Sequence, residues 1–122
     1  MKRLNFALLF LFVFSQRVEA QQIADASYLP VISNPAYSSG AGPVVFIDEG
    51  HHNFHTKDGR YTTFAKLLER DGYQVNAFKT VFEEDALAIG KVLVISNALN
   101  EINVGRWILP TPSAFSDNEI RY

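Results

Sequence analysis

Three histidines, all that the chain contains, fall at positions 51, 52 and 55 of one polar stretch, just after the acids Asp48 and Glu49. Imidazole and carboxylate are donors that suit zinc, manganese or iron, and a metal-activated water gives hydrolysis near neutral pH. On that reading His51, His52 and His55 are the candidate ligands of a divalent metal cofactor. The candidate catalytic groups are Asp48, which would orient, and His51 or His52, as ligand or general base, with His55 in reserve. The spacing matches no established ligand signature such as His-Glu-x-x-His on a helix.

The same side chains pair as readily with the hydroxyls of a carbohydrate or another small polar molecule, and Phe54 or Tyr61 could stack on a ring. Glu49, Asn53, His55, Ser96 and Asn97 are then the ligand-binding residues. A plainer reading has Asp48 holding loop amides, Gly50 allowing a tight turn, and one of His51 and His52 buried while the other is solvated. Other chemistries find less support. Asp48 and Glu49 are adjacent, so on an extended strand they point to opposite faces and make a poor glycosidase pair. Ser96 lies outside any Gly-x-Ser-x-Gly elbow, and no glycine-rich phosphate loop occurs. With no cysteine, the chain offers no thiolate metal site, cysteine nucleophile or lipidated cysteine.

The elements that would position this loop are strands of a parallel sheet. Val44-Val45-Phe46-Ile47 is apolar without alternation, as a strand covered on both faces requires. After the polar loop, Tyr61, Phe64, Leu67 and Leu68 recur at helical spacing, with Thr62 or Thr63 as candidate cap and Gly72 suited to the left-handed position past the end. Residues 73–78 read as a second strand. Glu83-Glu84-Asp85 places negative charge at the start of a short helix that closes at Gly90, and Val92-Leu93-Val94-Ile95 reads as a third strand. This alternation predicts an α/β fold: a three-layer, flavodoxin-like parallel sheet, partial, with about three strands in the order 2-1-3. Ligands of such sheets bind beyond the carboxyl ends of the strands, where strand order reverses. There the loop after the first strand would meet Ser96, Asn97 and Asn100.

Residues 1–20 read as a secretory signal peptide: Lys2 and Arg3, an apolar run from Leu4 to Phe14, then Val18-Glu19-Ala20 as the cleavage site. The run of about eleven residues is short of the roughly 20 that span a bilayer, so no stable membrane anchor is expected after cleavage, and the product is exported, periplasmic or secreted. The whole chain has 11 Lys+Arg against 13 Asp+Glu; losing Lys2, Arg3, Arg17 and Glu19 leaves 8 against 12, a net charge of −4. A mildly acidic product without a basic run argues against nucleic acid as partner. Residues 21–42, with their prolines and the Ser38-Ser39-Gly40 stretch, read as an extended linker whose Tyr28, Leu29, Val31 and Ile32 could dock on the domain. Trp107 and Pro110 could cap an apolar surface or a ligand pocket, with packing the favoured reading.

Near the other end, Ser116-Asp117-Asn118-Glu119 has the form of a capping box announcing a helix. The helix it opens has barely one turn before Tyr122, which suggests a truncated domain, a fragment, or a module completed by a partner. An apolar third strand at the sheet edge would make an oligomer through that edge natural.

The stretch 43–75, with KVLVISNALNE and PTPSAFSDNEI further on, resembles exported proteins carrying an uncharacterised domain of the class I glutamine amidotransferase-like fold. The shared pattern is a strand ending in Asp-Glu-x-His, a helix ending in Asp-Gly-Tyr, a strand ending in small polar residues, and a helix led by Ser/Asp-x-x-Glu. The resemblance covers residues 43–122 as a partial domain, the family's N-terminal half. It implies the fold but carries no reaction, and the cysteine of true glutamine amidotransferases has no counterpart here.

Overall fold

The computed structural model describes residues 23–121. The signal-peptide expectation for residues 1–20 falls outside them.

Strand β1 (Val44–Asp48) is the centre of the molecule because every residue after Val44 is buried. Its side chains alternate between two cores. Ile47 meets Ala65 of helix α1 (Thr62–Arg70) and Val75 of strand β2 (Gln74–Phe78) on one face, flanked by Leu68, Tyr73 and Val94. Phe46 meets Phe78 and Phe82 on the other, flanked by Leu93 and by Ala86 and Leu87 of helix α2 (Glu84–Leu87). Each such side chain removed from water contributes about 1.5–3 kcal/mol, which is what a strand without polar alternation supplies on both faces at once.

Strand β3 (Gly90–Val94) completes a three-stranded parallel sheet in the order β2-β1-β3, the partial α/β, flavodoxin-like arrangement expected. It starts two residues before the apolar run because Gly90 pairs with Val44, and a register shift then sets Val45 against Val92. Gly90 is the residue that fits there, since a Cβ would lie 2.6 Å from the Phe46 ring. A 3-10 turn (Glu101–Asn103) and a short helix α3 (Asp117–Ile120) follow. Among the described residues, no helix is long and apolar enough to cross a membrane.

Three local expectations are corrected. Helix α1 is entered from Tyr61 with no side-chain cap, because the Thr63 hydroxyl donates instead to the Asp25 carbonyl, 2.9 Å away. Of the residues that could dock on the domain, Tyr28, Leu29 and Val31 stay exposed while Ile32 is half-buried. The segment before β1 is tied down by polar contacts: Ala36 N–H donates to the Asp71 carboxylate and Gly42 N–H to the Gly72 carbonyl. Trp107 does not pack, being 73% exposed. Gly72 does adopt the left-handed conformation past α1, at φ +96°.

Candidate functional site

The carboxyl ends of β1 and β3 are joined by a polar network that starts at Asp48, the last residue of β1 and fully buried. Its Oδ1 accepts from Gly50 N–H at 3.0 Å, which forces the chain into a tight turn. Gly50 permits that turn, since a Cβ would sit 2.5 Å from the Thr80 carbonyl oxygen. The turn brings His51 back over the strand end, where its Nδ1 lies 2.9 and 3.0 Å from the two Asp48 oxygens. Asn53 locks the arrangement. Its Oδ1 accepts from His51 N–H at 3.2 Å, and its Nδ2 donates to Asp48 Oδ2 at 3.0 Å and to the Ser96 carbonyl at 3.1 Å. The His51 carbonyl accepts from Leu99 N–H at 2.8 Å.

The other imidazole nitrogen, Nε2, lies 2.8 Å from Glu119 Oε1 on α3. Glu119 is itself fully engaged. Oε1 also accepts from Phe82 N–H at 2.8 Å, and Oε2 accepts from the Ser116 N–H at 2.8 Å and hydroxyl at 2.7 Å, completing the capping box. The His51 ring lies between Phe82 and Phe115, at centroid distances of 4.5 and 4.9 Å. Both ring nitrogens face carboxylate oxygens, an arrangement that favours the ring with two N–H groups and a positive charge. Burial by itself disfavours that charge, but the hydrogen bonds and the fields of Asp48 and Glu119 outweigh it and raise the His51 pKa above the ordinary value. For Glu119, burial pushes the pKa upward, and the bonds from Ser116, Phe82 and His51 overcome it, bringing the group down to about 2.

The three histidines therefore have three different environments. His51 is 5% exposed with both nitrogens bonded to carboxylates, and His52 is exposed at φ 48°. His55 lies against Tyr61 at a centroid distance of 4.8 Å with its ring tilted, and its buried Nδ1 has no protein partner. The histidine-rich metal reading finds no matching geometry: among the described residues, no group of three or more His, Cys, Asp or Glu side chains could hold a metal ion. Nor has His51 a nitrogen with which to act as a base.

Of the residues expected to bind a ligand, Asn53 is buried in this network, and Ser96 joins it through its carbonyl. The Ser96 hydroxyl accepts from Tyr61 at 2.9 Å and donates to Asn97 Oδ1 at 3.1 Å. Asn97 is exposed, at φ 54°. Glu49 anchors the loop from within, accepting from Lys57 N–H at 2.7 Å.

Beyond this inner knot the loop opens a cleft of about 370 Å³, lined by Phe54, Thr56, Asp58, Gly59, Arg60 and Thr62 and, from the preceding segment, by Ile23, Ala24 and Ala26. Phe54 is 54% exposed, with the Arg60 guanidinium 3.5 Å from its ring centroid. The preceding segment is held in place by Thr63 and Lys66, which donate to the Asp25 and Ala26 carbonyls.

Sequence reasoning missed Glu119, Phe82 and Phe115 as partners of His51. The capping box was the one available signal, and it accounts for only one of the Glu119 oxygens. Comparison with protein families, with curated proteins and with solved structures finds no match to this chain.

Proposed function

We propose that this protein binds a small polar, ring-bearing ligand, a saccharide being the chemistry that fits best, in the outer part of the loop after β1. The observation that carries the reading is the cleft built on Phe54, Thr56, Asp58 and Thr62. Its size is that of a small-molecule pocket. The half-exposed Phe54 ring supplies a flat apolar face, while two hydroxyls and a carboxylate supply partners for sugar hydroxyls. The inner residues Asp48, His51 and Asn53 support the cleft from beneath rather than line it, because their polar atoms bond one another.

The test is an amide NMR titration of the purified protein with a panel of neutral and acidic mono- and disaccharides. Shifts confined to residues 54–62 and 23–26, lost in Phe54→Ala and Asp58→Asn, are the expected result. A panel that leaves those amides unmoved at millimolar concentration overturns the reading.

A second reading, association through the outer edge of β3, is favoured by a separate observation. Ile89, Val92 and Ile95 are 68%, 48% and 45% exposed along that edge. Such an edge presents unpaired backbone groups beside apolar side chains, the combination that recruits another chain.

A further inference from the structure

The apolar side of β3 carries a groove of about 280 Å³ lined by Phe82, Leu87, Leu93, Ile95, Phe115 and Ile120. Leu87 and Leu93 continue it into a second hollow of about 160 Å³ running along β3 to Gly90. Phe115 and α3 form one wall of this groove, and their attachment to the body runs through His51. Phe115 contacts His51 at 4.9 Å and stacks on Phe82 at 5.7 Å, and Glu119 reaches His51 Nε2 and Phe82 N–H. The helix has only four residues and would not persist by itself.

We propose that the Asp48–His51–Glu119 clasp is a proton-operated latch: loss of one proton from His51 to solvent frees residues 115–121 and opens the groove along β3. The charged groups that face His51 are Asp48 at the end of β1 and Glu119 on α3. Its other neighbours are neutral: Asn53 in the loop, Phe82 ahead of α2 and Phe115 ahead of α3. A neutral ring has one N–H, so one of the two carboxylates then faces a lone pair at hydrogen-bond distance. Asp48 keeps the N–H, because it is fixed within the sheet and still bonded by Gly50 and Asn53. Glu119 is the end that leaves, because its helix has four residues and is tied to the body mainly through Glu119 itself and Phe115.

The direction with pH follows. The latch is fully closed below the ordinary histidine value of 6.5 and opens as pH rises through the raised value of the folded protein. This inference is independent of the saccharide reading, whose cleft is lined by other residues.

The Phe82 amide reports the latch directly, since its N–H is bonded to Glu119. The experiment follows, in the intact protein from pH 5 to 9, the imidazole shifts of His51 and the hydrogen-exchange protection of Phe82, corrected for intrinsic rate. The expected result is that Phe82 protection falls at least tenfold with the same midpoint as His51, while Phe46 and Ile47 in β1 stay protected. In His51→Gln, whose side chain cannot titrate, Phe82 protection becomes independent of pH over this range. Protection of Phe82 that persists through the His51 titration overturns the latch. So does protection lost together with that of β1, which would make the clasp part of global stability. The wild-type comparison of Phe82 with β1 decides the matter even where the variant does not fold.

Discussion

His51 is enclosed by two carboxyl groups and two aromatic rings, and removing either carboxyl group leaves a buried imidazole nitrogen without its partner. Glu119 is the informative partner to change, because its side chain is 5% exposed and it serves His51, Phe82 and Ser116 together. Glu119→Ala should cost about 3 kcal/mol of local stability, the range for breaking a buried pair from one side, read as lost exchange protection at Phe82. Glu119→Gln should cost less, since an amide oxygen can still accept from Phe82 or His51. The two ends of the clasp also have opposite pH limbs. Glu119 is held down to about 2 from 4.5, so its contribution is present above pH 4.5 and disappears as pH falls through about 2. The His51 contribution is present below 6.5 and lost as pH rises. The clasp therefore contributes most between pH 4.5 and 6.5. Glu119→Gln should flatten the acid limb of the pH dependence of Phe82 exchange protection and leave the strand amides unaffected at pH 5.5.

Elements differ in how far local sequence decides them, and the differences are physical. The β1 run names a strand buried on both faces, and the structure buries Val45, Phe46, Ile47 and Asp48 accordingly. Gly72 stands where α1 must turn left-handed, and a Cβ there would press on the Tyr37 carbonyl. Gly72→Ala should lower stability by about 1 kcal/mol or more, measurable by chemical denaturation. The capping box could be read from four consecutive residues and forms as spelled, so Ser116→Ala should cost about 1 kcal/mol of local stability. Faster exchange confined to residues 116–121 is the signature to look for. The contacts that escaped reading join distant parts of the chain. Glu119 and His51 are 68 positions apart, and the Thr63 hydroxyl reaches a carbonyl 38 positions away. Periodicity and caps are local signals. They locate a loop and a helix start but not which oxygen of one meets which nitrogen of the other, so a buried and a solvated histidine at 51 and 52 were legible, as the structure bears out, while the partners of His51 and the place of His55 against Tyr61 were not.

For the whole molecule, the question is the sheet's unequal edges. The outer edge of β2 carries Gln74 and Asn76 as its exposed positions, and these polar side chains discourage pairing. The β3 side is different: Ile89, Val92 and Ile95 are open to solvent, and Ile120 at the groove mouth is 62% exposed. Apolar area of this kind beside unsatisfied strand groups favours a second chain over water. The protein should then show a mass that rises with concentration in sedimentation equilibrium. Val92→Lys places a charge on the edge strand and should return it to the monomer, with a stability change within about 0.5 kcal/mol because the site is surface-exposed. The latch makes a further distinction. If the associating surface includes the groove beside α3, association strengthens above the pH at which His51 loses its proton, and His51→Gln removes that dependence. If only the strand edge associates, Val92→Lys abolishes the dimer and pH leaves its strength unchanged. A wild-type protein that remains monomeric throughout would refute association through β3.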